Sequence, residues 1–325
     1  MEGVTAMPRR ALVGVDIGGT KTAVLVSLKP PTVLDRIEFP TRAANGPEPA
    51  LRLIKAGIRD MLVRHRLKAA AIGVSCGGPL DHIKGVIQAP PNLSTWVDVP
   101  IKTILEKEFD VKCNVENDAN AGAVAEHRFG AGQGCRNMVF LTMGTGLGAG
   151  IIADGRLYHG TNDFAGEIGH VRLTRTGPVG YHKAGSVEGW ASGGGMAQIA
   201  QKAVETAIKT REPKLLARQF RQGREITARD VAAAAKKGDT VASRILGITA
   251  RRLGETLAIL VDILNPEKII IGGLAMRLGD ALLEPARQVM RREALPQSVA
   301  VCQIVPAALG ERIGDVAALC VAMGF

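Results

Sequence analysis

ALVGVDIGGTKTAVLVSL, residues 11–28, holds two runs rich in valine and other apolar residues on either side of the glycine turn DIGGTK. This composition predicts a strand, a tight turn and a second strand. NMVFLTMGTGLGAGIIADGRLYHG, residues 137–160, repeats the same order and adds an Asp154-Gly155 hairpin signal. The two segments are the nearest thing to an internal repeat, and they divide the chain into two similar halves.

Strands and helices alternate through both halves. Apolar residues at helical spacing predict helices over residues 48–67, 118–130, 196–222, 227–236 and 239–264. Short apolar runs predict buried strands at residues 69–79 and 268–275, and the segment SVAVCQIVP near the C-terminus also indicates a strand. We expect an α/β fold of two lobes with a cleft between them.

The lobes are expected to be unequal. The smaller comprises residues 1–117 with a C-terminal helix at 310–325, and the larger comprises residues 118–309.

Composition narrows the class of protein. Of 325 residues, 46% are hydrophobic and 22% charged, which is typical of a globular protein. The net charge of +10 comes from dispersed basic residues without interleaved aromatics, so we expect a solvated basic surface and no nucleic-acid partner. Five scattered cysteines indicate reduced thiols. With neither a signal peptide nor a run long enough to span a bilayer, a cytoplasmic protein with no membrane partner is expected.

Three glycine loops follow predicted strands, at residues 16–21, 144–150 and 271–275. Glycine lets backbone N–H groups approach phosphate oxygens closely, so the loops favour a nucleotide site over simple β-turns. A Walker A loop is rejected because Thr20 stands where lysine is required, and a dinucleotide loop is rejected because a hairpin follows instead of a helix.

Asp16 lies two residues before the first glycine pair. A carboxylate beside phosphates requires a cation between them, so we infer Mg²⁺, held through water. The alternative is that Asp16 hydrogen-bonds its own turn.

Asn117-Asp118 precedes a helix of small residues, where either side chain could cap the helix. Asp118 could also act as a general base that accepts a proton from an attacking hydroxyl. Farther along, Glu167, His170 and Glu188 occupy one glycine-rich stretch. These residue types are compatible with a metal site, an acid–base set or a hydroxyl-binding pocket.

The motifs VGVDIGGTK, ENDANA, GTGLGAGI, GEIGH, SVEGWASG, IIIGG and ALGERIGDVAA occur in this order over almost the whole chain. Together they resemble the ROK sugar kinases, which have the two-lobed, actin-like ATPase fold of hexokinases. Family members commonly form dimers or tetramers. Some are repressors with a DNA-binding domain before the first glycine motif, but only fifteen residues precede Asp16, so we expect the enzyme.

The resemblance implies a catalytic Asp118 and assigns roles to further residues. The implied sugar-binding residues are Gly78, Asn92, Asn117, Asp118, Glu167, His170 and Glu188. The implied ATP-binding residues are Asp16, Gly18, Gly19, Thr20, Lys21, Gly144, Thr145, Gly146, Gly272 and Gly273, of which the last two bind the adenosine. The implied cofactors are ATP and Mg²⁺.

One departure from the family pattern concerns zinc. The family usually has CxCGxxGC after GEIGH, where three cysteines and the histidine bind a structural zinc. Here the stretch is GPVGYHKAGSVEG, residues 177–189, with Val179, Tyr181 and Ser186 where the cysteines would stand. None of the three supplies a thiolate. We therefore predict no zinc, and a 177–185 loop that is ordered by packing alone.

The predicted reaction is transfer of the ATP γ-phosphoryl group to a hexose, at C6 of glucose. An N-acetylhexosamine kinase is the main alternative and a fructokinase a further one. Polyphosphate is conceivable as a donor, and a non-catalytic sugar-sensing protein is the alternative of another class.

Overall fold

A computed structural model describes residues 9–209, Leu216, Phe220 and residues 223–325. These residues form two compact units. The first unit comprises residues 9–129, His159–Asp163 and Glu311–Phe325. The second unit comprises the described parts of Gly130–Tyr158 and Phe164–Gly310.

The elements alternate as the sequence predicts. The strands are β1 (Arg9–Ile17), β2 (Lys21–Ser27), β3 (Asp35–Pro40), β4 (Leu67–Cys76), β5 (Leu80–Asp81), β6 (Val86–Ile87), β7 (Cys113–Asn117), β8 (Met138–Met143), β9 (Leu147–Ala153), β10 (Arg156–Leu157), β11 (Val179–Gly180), β12 (Lys183–Ala184), β13 (Lys268–Gly273) and β14 (Gln303–Pro306). The helices are α1 (Pro47–Arg64), α2 (Ile101–Phe109), α3 (Asp118–Phe129), α4 (Val187–Ala191), α5 (Gly193–Lys209), α6 (Ala228–Lys236), α7 (Thr240–Leu264), α8 (Leu274–Leu278), α9 (Asp280–Glu293), α10 (Pro296–Val301) and α11 (Ile313–Met323).

The sheet of the first unit has the order β3-β2-β1-β4-β7. Strands β1, β2 and β3 are antiparallel neighbours, whereas β1, β4 and β7 run parallel. In this register Asp16 pairs with Ser75, and Cys76 pairs with Asn117. The carboxyl ends of the three parallel strands therefore meet at one edge, where open α/β sheets bind their ligands.

The sheet of the second unit has the corresponding order β10-β9-β8-β13-β14. Strands β10, β9 and β8 are antiparallel neighbours, whereas β8, β13 and β14 run parallel. Gly273 pairs with Met143, so the second and third glycine loops leave adjacent strand ends. The predicted repeat is thus confirmed as two sheets of the same topology. The Asp154-Gly155 hairpin also forms, with φ of 49° and 77°.

Each unit has its own apolar core. In the first, α1 buries Ile54, Ile58 and Met61 against the sheet. In the second, strand residues such as Leu141 and Ile269 are fully buried. Burying a side chain of this size contributes about 1.5–3 kcal/mol, which lets aliphatic cores replace the scarce aromatics.

Two elements differ from the prediction, and a third cannot be compared with it. Helix α1 stops at Arg64 because Leu67 and Lys68 pair with β1. The SVAV segment lies in α10, where Pro296 occupies the first turn, and the strand starts only at Gln303. Most of residues 210–222, predicted as the end of a helix, lie outside the described residues.

Helix α3, which we expected to open the larger lobe, lies in the first unit. The reason is that its small residues pack against α11 of that unit. Among the helices that the structure describes, none is long and apolar enough to cross a membrane.

Candidate functional site

Asp16 is half-buried at the end of β1. Burial, together with the negative charges of the neighbouring Asp118 and Asp315, raises the pKa of its carboxyl to about 7, against the opposing charges of Arg36 and Lys21. A side chain at Gly314 would collide with Oδ2 of Asp16, so glycine is required where α11 passes this carboxylate. Asp118 and Asp315 thus add negative charge near Asp16, and Arg36 pairs with Asp315 at 2.9 Å.

The first glycine turn is tightly held. The N–H of Gly18 donates to the carbonyl of Lys21 at 3.0 Å, and Oγ1 of Thr41 donates to the carbonyl of Gly18 at 2.6 Å. The Nζ of Lys21 donates to Glu38 at 2.9 Å, so this predicted phosphate ligand is paired with the neighbouring strand. Thr20 is exposed at the tip of the turn.

Two predicted sugar residues lie against this part of the first unit. A Cβ at Gly19 would lie 2.6 Å from Cβ of Asn92, so Asn92 packs directly on the turn. A Cβ at Gly78 would lie 2.9 Å from Nδ2 of Asn117. In the first unit, Gly78 thus lies close to Asn117, and Asn92 lies close to the glycine turn.

Asn117 and Asp118 form the start of α3. Oδ1 of each accepts the N–H of Ala119, at 2.9 Å and 2.8 Å, which confirms the capping interpretation. This role leaves the second oxygen of Asp118 for other chemistry. The Asp118 side chain is solvent-accessible. Desolvation by the surrounding protein still raises its pKa, and the bonds from backbone N–H groups oppose this rise.

In the second unit, Gly144, Thr145 and Gly273 line one cavity of 560 Å³. The carbonyls of Gly144 and Thr145 accept the N–H groups of Gly193 and Gly194 at 2.8 Å and 3.0 Å, which fixes the turn on the start of α5. Gly272 instead packs against the ring of Phe140, and Gly146 against Glu188.

Other residues of this cavity were not predicted. Ala197, Ile226 and Leu274 give it an apolar lining, and the charged residues in the lining are Glu225, Arg229 and Arg277, which leaves an excess of positive charge. The available sequence signal was the start of α6, where Thr227 and Asp230 form a capping box. The arrangement suits an apolar ring system attached to an anionic chain.

The stretch that contains Glu167, His170 and Glu188 packs on the backbone of β9. A side chain at Gly166 would collide with the carbonyl of Ala149, and one at Gly169 with that of Leu147. Glu167 and His170 are exposed at the two ends of the short helical turn formed between them. The glycines therefore allow the turn to lie directly on the strand and to present both side chains.

Glu188 connects this stretch to the second glycine turn. It is half-buried in α4, and its Oε2 accepts the N–H of Leu147 at 3.0 Å. A Cβ at Gly146 would lie 2.6 Å from the same oxygen. One carboxylate oxygen thus holds the turn in place.

The expectation that packing alone orders the 177–185 loop is wrong, because side chains also hold it by hydrogen bonds. Nε1 of Trp190 donates to Thr174 at 2.7 Å. The amide of Gln198 bonds both the N–H and the carbonyl of Val179, at 2.9 Å and 2.8 Å. Arg252 lies over the Trp190 ring at 4.9 Å, a cation–π contact.

Among the residues with described structure, no three His, Cys, Asp or Glu side chains converge as a metal-binding group. All five cysteines are buried. The absence of zinc remains a prediction that requires elemental analysis.

Known proteins resemble this chain over nearly its full length. The model of the ROK family matches residues 12–323. The glucokinase of Halalkalibacterium halodurans is 36% identical over 317 residues, which cover 95% of this chain and 93% of that protein. The xylose repressor of Caldicellulosiruptor bescii is 29% identical, over 87% of this chain and 71% of the repressor.

The crystal structure of a ROK family glucokinase from Streptomyces griseus in complex with glucose and AMPPNP matches with a TM-score of 0.78 and 29% identity. The match covers 97% of this chain and all of that one. The chain belongs to the ROK family and is a sugar kinase with the actin-like ATPase fold.

Proposed function

We propose that this kinase transfers the γ-phosphoryl group of ATP to the C6 hydroxyl of glucose. The observation that carries the proposal is the meeting of Asp16, Gly78 and Asn117-Asp118 at the carboxyl ends of three parallel strands in one unit. The proposed base Asp118, the amide of Asn117 and the carboxylate of Asp16, which would bind a cation, therefore lie at the same edge of the sheet.

Asp118 is the proposed general base. As the C6 oxygen bonds to the γ-phosphorus and the bond to the β-phosphate oxygen breaks, Asp118 accepts the hydroxyl proton and ADP leaves. The bond from Ala119 fixes one carboxylate oxygen and so orients the other. The desolvation that raises its pKa brings this carboxylate closer to the basicity that proton acceptance requires.

Asp16 would hold Mg²⁺ with the nucleotide. The residue fits this role because its carboxylate is half-buried, with Asp118 and Asp315 raising its pKa, so a cation relieves the repulsion. When bound, Mg²⁺ neutralises phosphate charge. The two glycine turns supply backbone groups to the phosphates, and the cavity lined by Gly144, Thr145 and Gly273 accepts the adenosine end.

The remaining residues are proposed to bind sugar hydroxyls. Asn117 offers an amide. In the second unit, the exposed Glu167 and the half-buried Glu188 offer carboxylate acceptors, and the exposed His170 offers an imidazole donor. Gly78 and Asn92 complete the set by lying against Asn117 and the first turn.

The acceptor sugar is best tested with a panel of hexoses in an assay coupled to ADP formation. We expect glucose to give the highest kcat/KM, ahead of N-acetylglucosamine, N-acetylmannosamine and fructose. Preference for an N-acetylated sugar would replace glucose and direct attention to residues 178–187, which we expect to lie near the C2 substituent. Polyphosphate in place of ATP tests the donor.

The alternative of a non-catalytic sugar-sensing protein is disfavoured by the presence of Asp16 and Asp118 together with both glycine turns. ADP formation that does not depend on any sugar would contradict the proposed kinase reaction, and absence of ADP formation with every sugar would favour the sensor.

A further inference from the structure

Glu116 is a buried carboxylate immediately before the proposed sugar ligand and base. Its side chain is only 3% exposed, at the end of β7. Burying a carboxylate is costly unless hydrogen-bonded partners surround it. The role of Glu116 therefore depends on which groups bind its two oxygens.

One oxygen of Glu116 accepts hydrogen bonds from residues on both sides of Asp118 in the sequence. Oε1 accepts the N–H of Asn117 at 2.9 Å and Nδ2 of Asn120 at 3.0 Å. Oδ1 of Asn120 has no hydrogen-bond partner among the described residues, so the bond to Glu116 is what orients this buried amide. Glu116 thus ties the strand end to the first turn of α3, with Asp118 between the two attachment points.

The other oxygen of Glu116 accepts Nε2 of His159 at 2.8 Å. His159 begins the short segment His159–Asp163 that the second half of the chain contributes to the first unit. Its hydrogen bond to Glu116 raises the pKa of the imidazole, and the charges of Glu116 and Asp163 act in the same direction against desolvation.

A second imidazole reinforces this arrangement. His82 stacks on His159 with ring centroids 4.1 Å apart and planes inclined by 7°. Nδ1 of His82 lies 2.6 Å from Asp163, although the two groups are not aligned for a hydrogen bond. The titratable groups around His159 are thus Glu116, Asp163, His82 and Lys112, the last of which lines the same 160 Å³ cavity.

We propose that His159 is a positioning residue for phosphoryl transfer, which acts through Glu116 to fix the Asn117-Asp118 segment. The proposal rests on Asp118 being the base. A charged imidazolium makes a shorter and stronger bond to a carboxylate than a neutral imidazole does, so the segment is held best when His159 is protonated.

Kinetics of two His159 variants test the inference. His159→Phe removes the donor, and we expect kcat to fall about tenfold, with the hexose KM much less affected, because the base loses its orientation. His159→Gln keeps an N–H donor but cannot titrate. It should restore most of kcat and abolish the decline in turnover that we expect in the unmodified protein as pH rises through the pKa of His159.

His65→Gln is the matched control, since His65 bonds Asp35 at 2.7 Å in the same unit, outside the proposed site. It should keep the kcat and pH profile of the unmodified protein. Unchanged kcat in folded His159→Phe, or an alkaline decline that persists in His159→Gln, would overturn the proposal.

A second readout does not require activity. An NMR titration should place the pKa of His159 above about 6.5, and Glu116→Gln should lower it. This result does not depend on phosphorylation of any hexose. It therefore separates absence of the Glu116–His159 hydrogen bond from failure of the proposed kinase reaction. A pKa that Glu116→Gln leaves unchanged would also overturn the proposal.

Discussion

The two glycine turns have the same topology and different chemistry. Both connect the central strand of a five-stranded sheet to its antiparallel neighbour. The first follows Asp16 and lies near Asp118 and Asp315, whereas the corresponding strand position in the second is Thr142. The cavity beside the second turn instead has two arginines, Arg229 and Arg277, and one carboxylate, Glu225, in its lining. Duplication of the fold therefore did not duplicate the charge, and the proposed function gives each turn a different part of MgATP.

Among substitutions that remove the charge difference between the two turns, we expect the largest effect on kcat at Asp16. Asp16→Asn removes the proposed Mg²⁺-binding charge and should lower kcat on the order of 10²–10³-fold, with an increased Mg²⁺ concentration for half-maximal rate. Steady-state kinetics across a Mg²⁺ titration measure both quantities. Thr142→Val makes the matched change in the other turn and should leave the Mg²⁺ dependence as it was. Equal effects of the two substitutions would show that the turns do not differ in this way.

A smaller effect is expected where the second turn contacts Glu188. Gly146→Ala would place a methyl group 2.6 Å from Oε2 of Glu188 and so displace this proposed sugar ligand. We expect the hexose KM to rise about tenfold, because the sugar loses one hydrogen bond to a charged group. Gly247→Ala, in α7 with nothing within 4 Å of the added methyl, is the control. An unchanged KM in Gly146→Ala would remove Glu188 from sugar binding.

The smallest effect concerns a carboxylate of the first unit whose pKa moves in the opposite direction to that of Asp16. The hydrogen bond from His65 lowers the pKa of Asp35, and Arg36 and Arg64 add to this effect against desolvation. A lowered folded-state pKa stabilises the protein above the unfolded value of 3.8, and this contribution disappears as pH falls through the folded pKa. Asp35→Asn should therefore lower Tm slightly at pH 7 and by less at pH 3. A Tm difference that grows in acid would contradict this sign.

Much of this comparison could be predicted from the sequence. The alternating apolar runs predicted both hairpins, and the strand pattern of the two halves predicted their shared topology. The capping bonds of Asn117 and Asp118 were predicted from their place before a small-residue helix, and they go to the adjacent residue Ala119. The raised pKa of Asp118 could not be predicted, because it depends on surrounding protein that only the fold brings near.

Other features depended on contacts that pattern does not encode. Lys21 pairs with Glu38 across a strand, and Gly272 faces Phe140, although both were predicted to bind nucleotide. Trp190 and Gln198 hold the loop without cysteines, and no local motif indicates that they do. The link from Glu116 to His159 joins residues 43 positions apart, which requires the chain to return to the first unit.

The most direct test of the central claim is the turnover of Asp118→Asn with glucose and MgATP. The amide keeps the size and the capping oxygen but cannot accept the proton. We expect kcat to fall by roughly 10²–10⁴-fold while the KM for glucose changes far less. Turnover close to that of the unmodified protein would contradict the role of Asp118 as the general base.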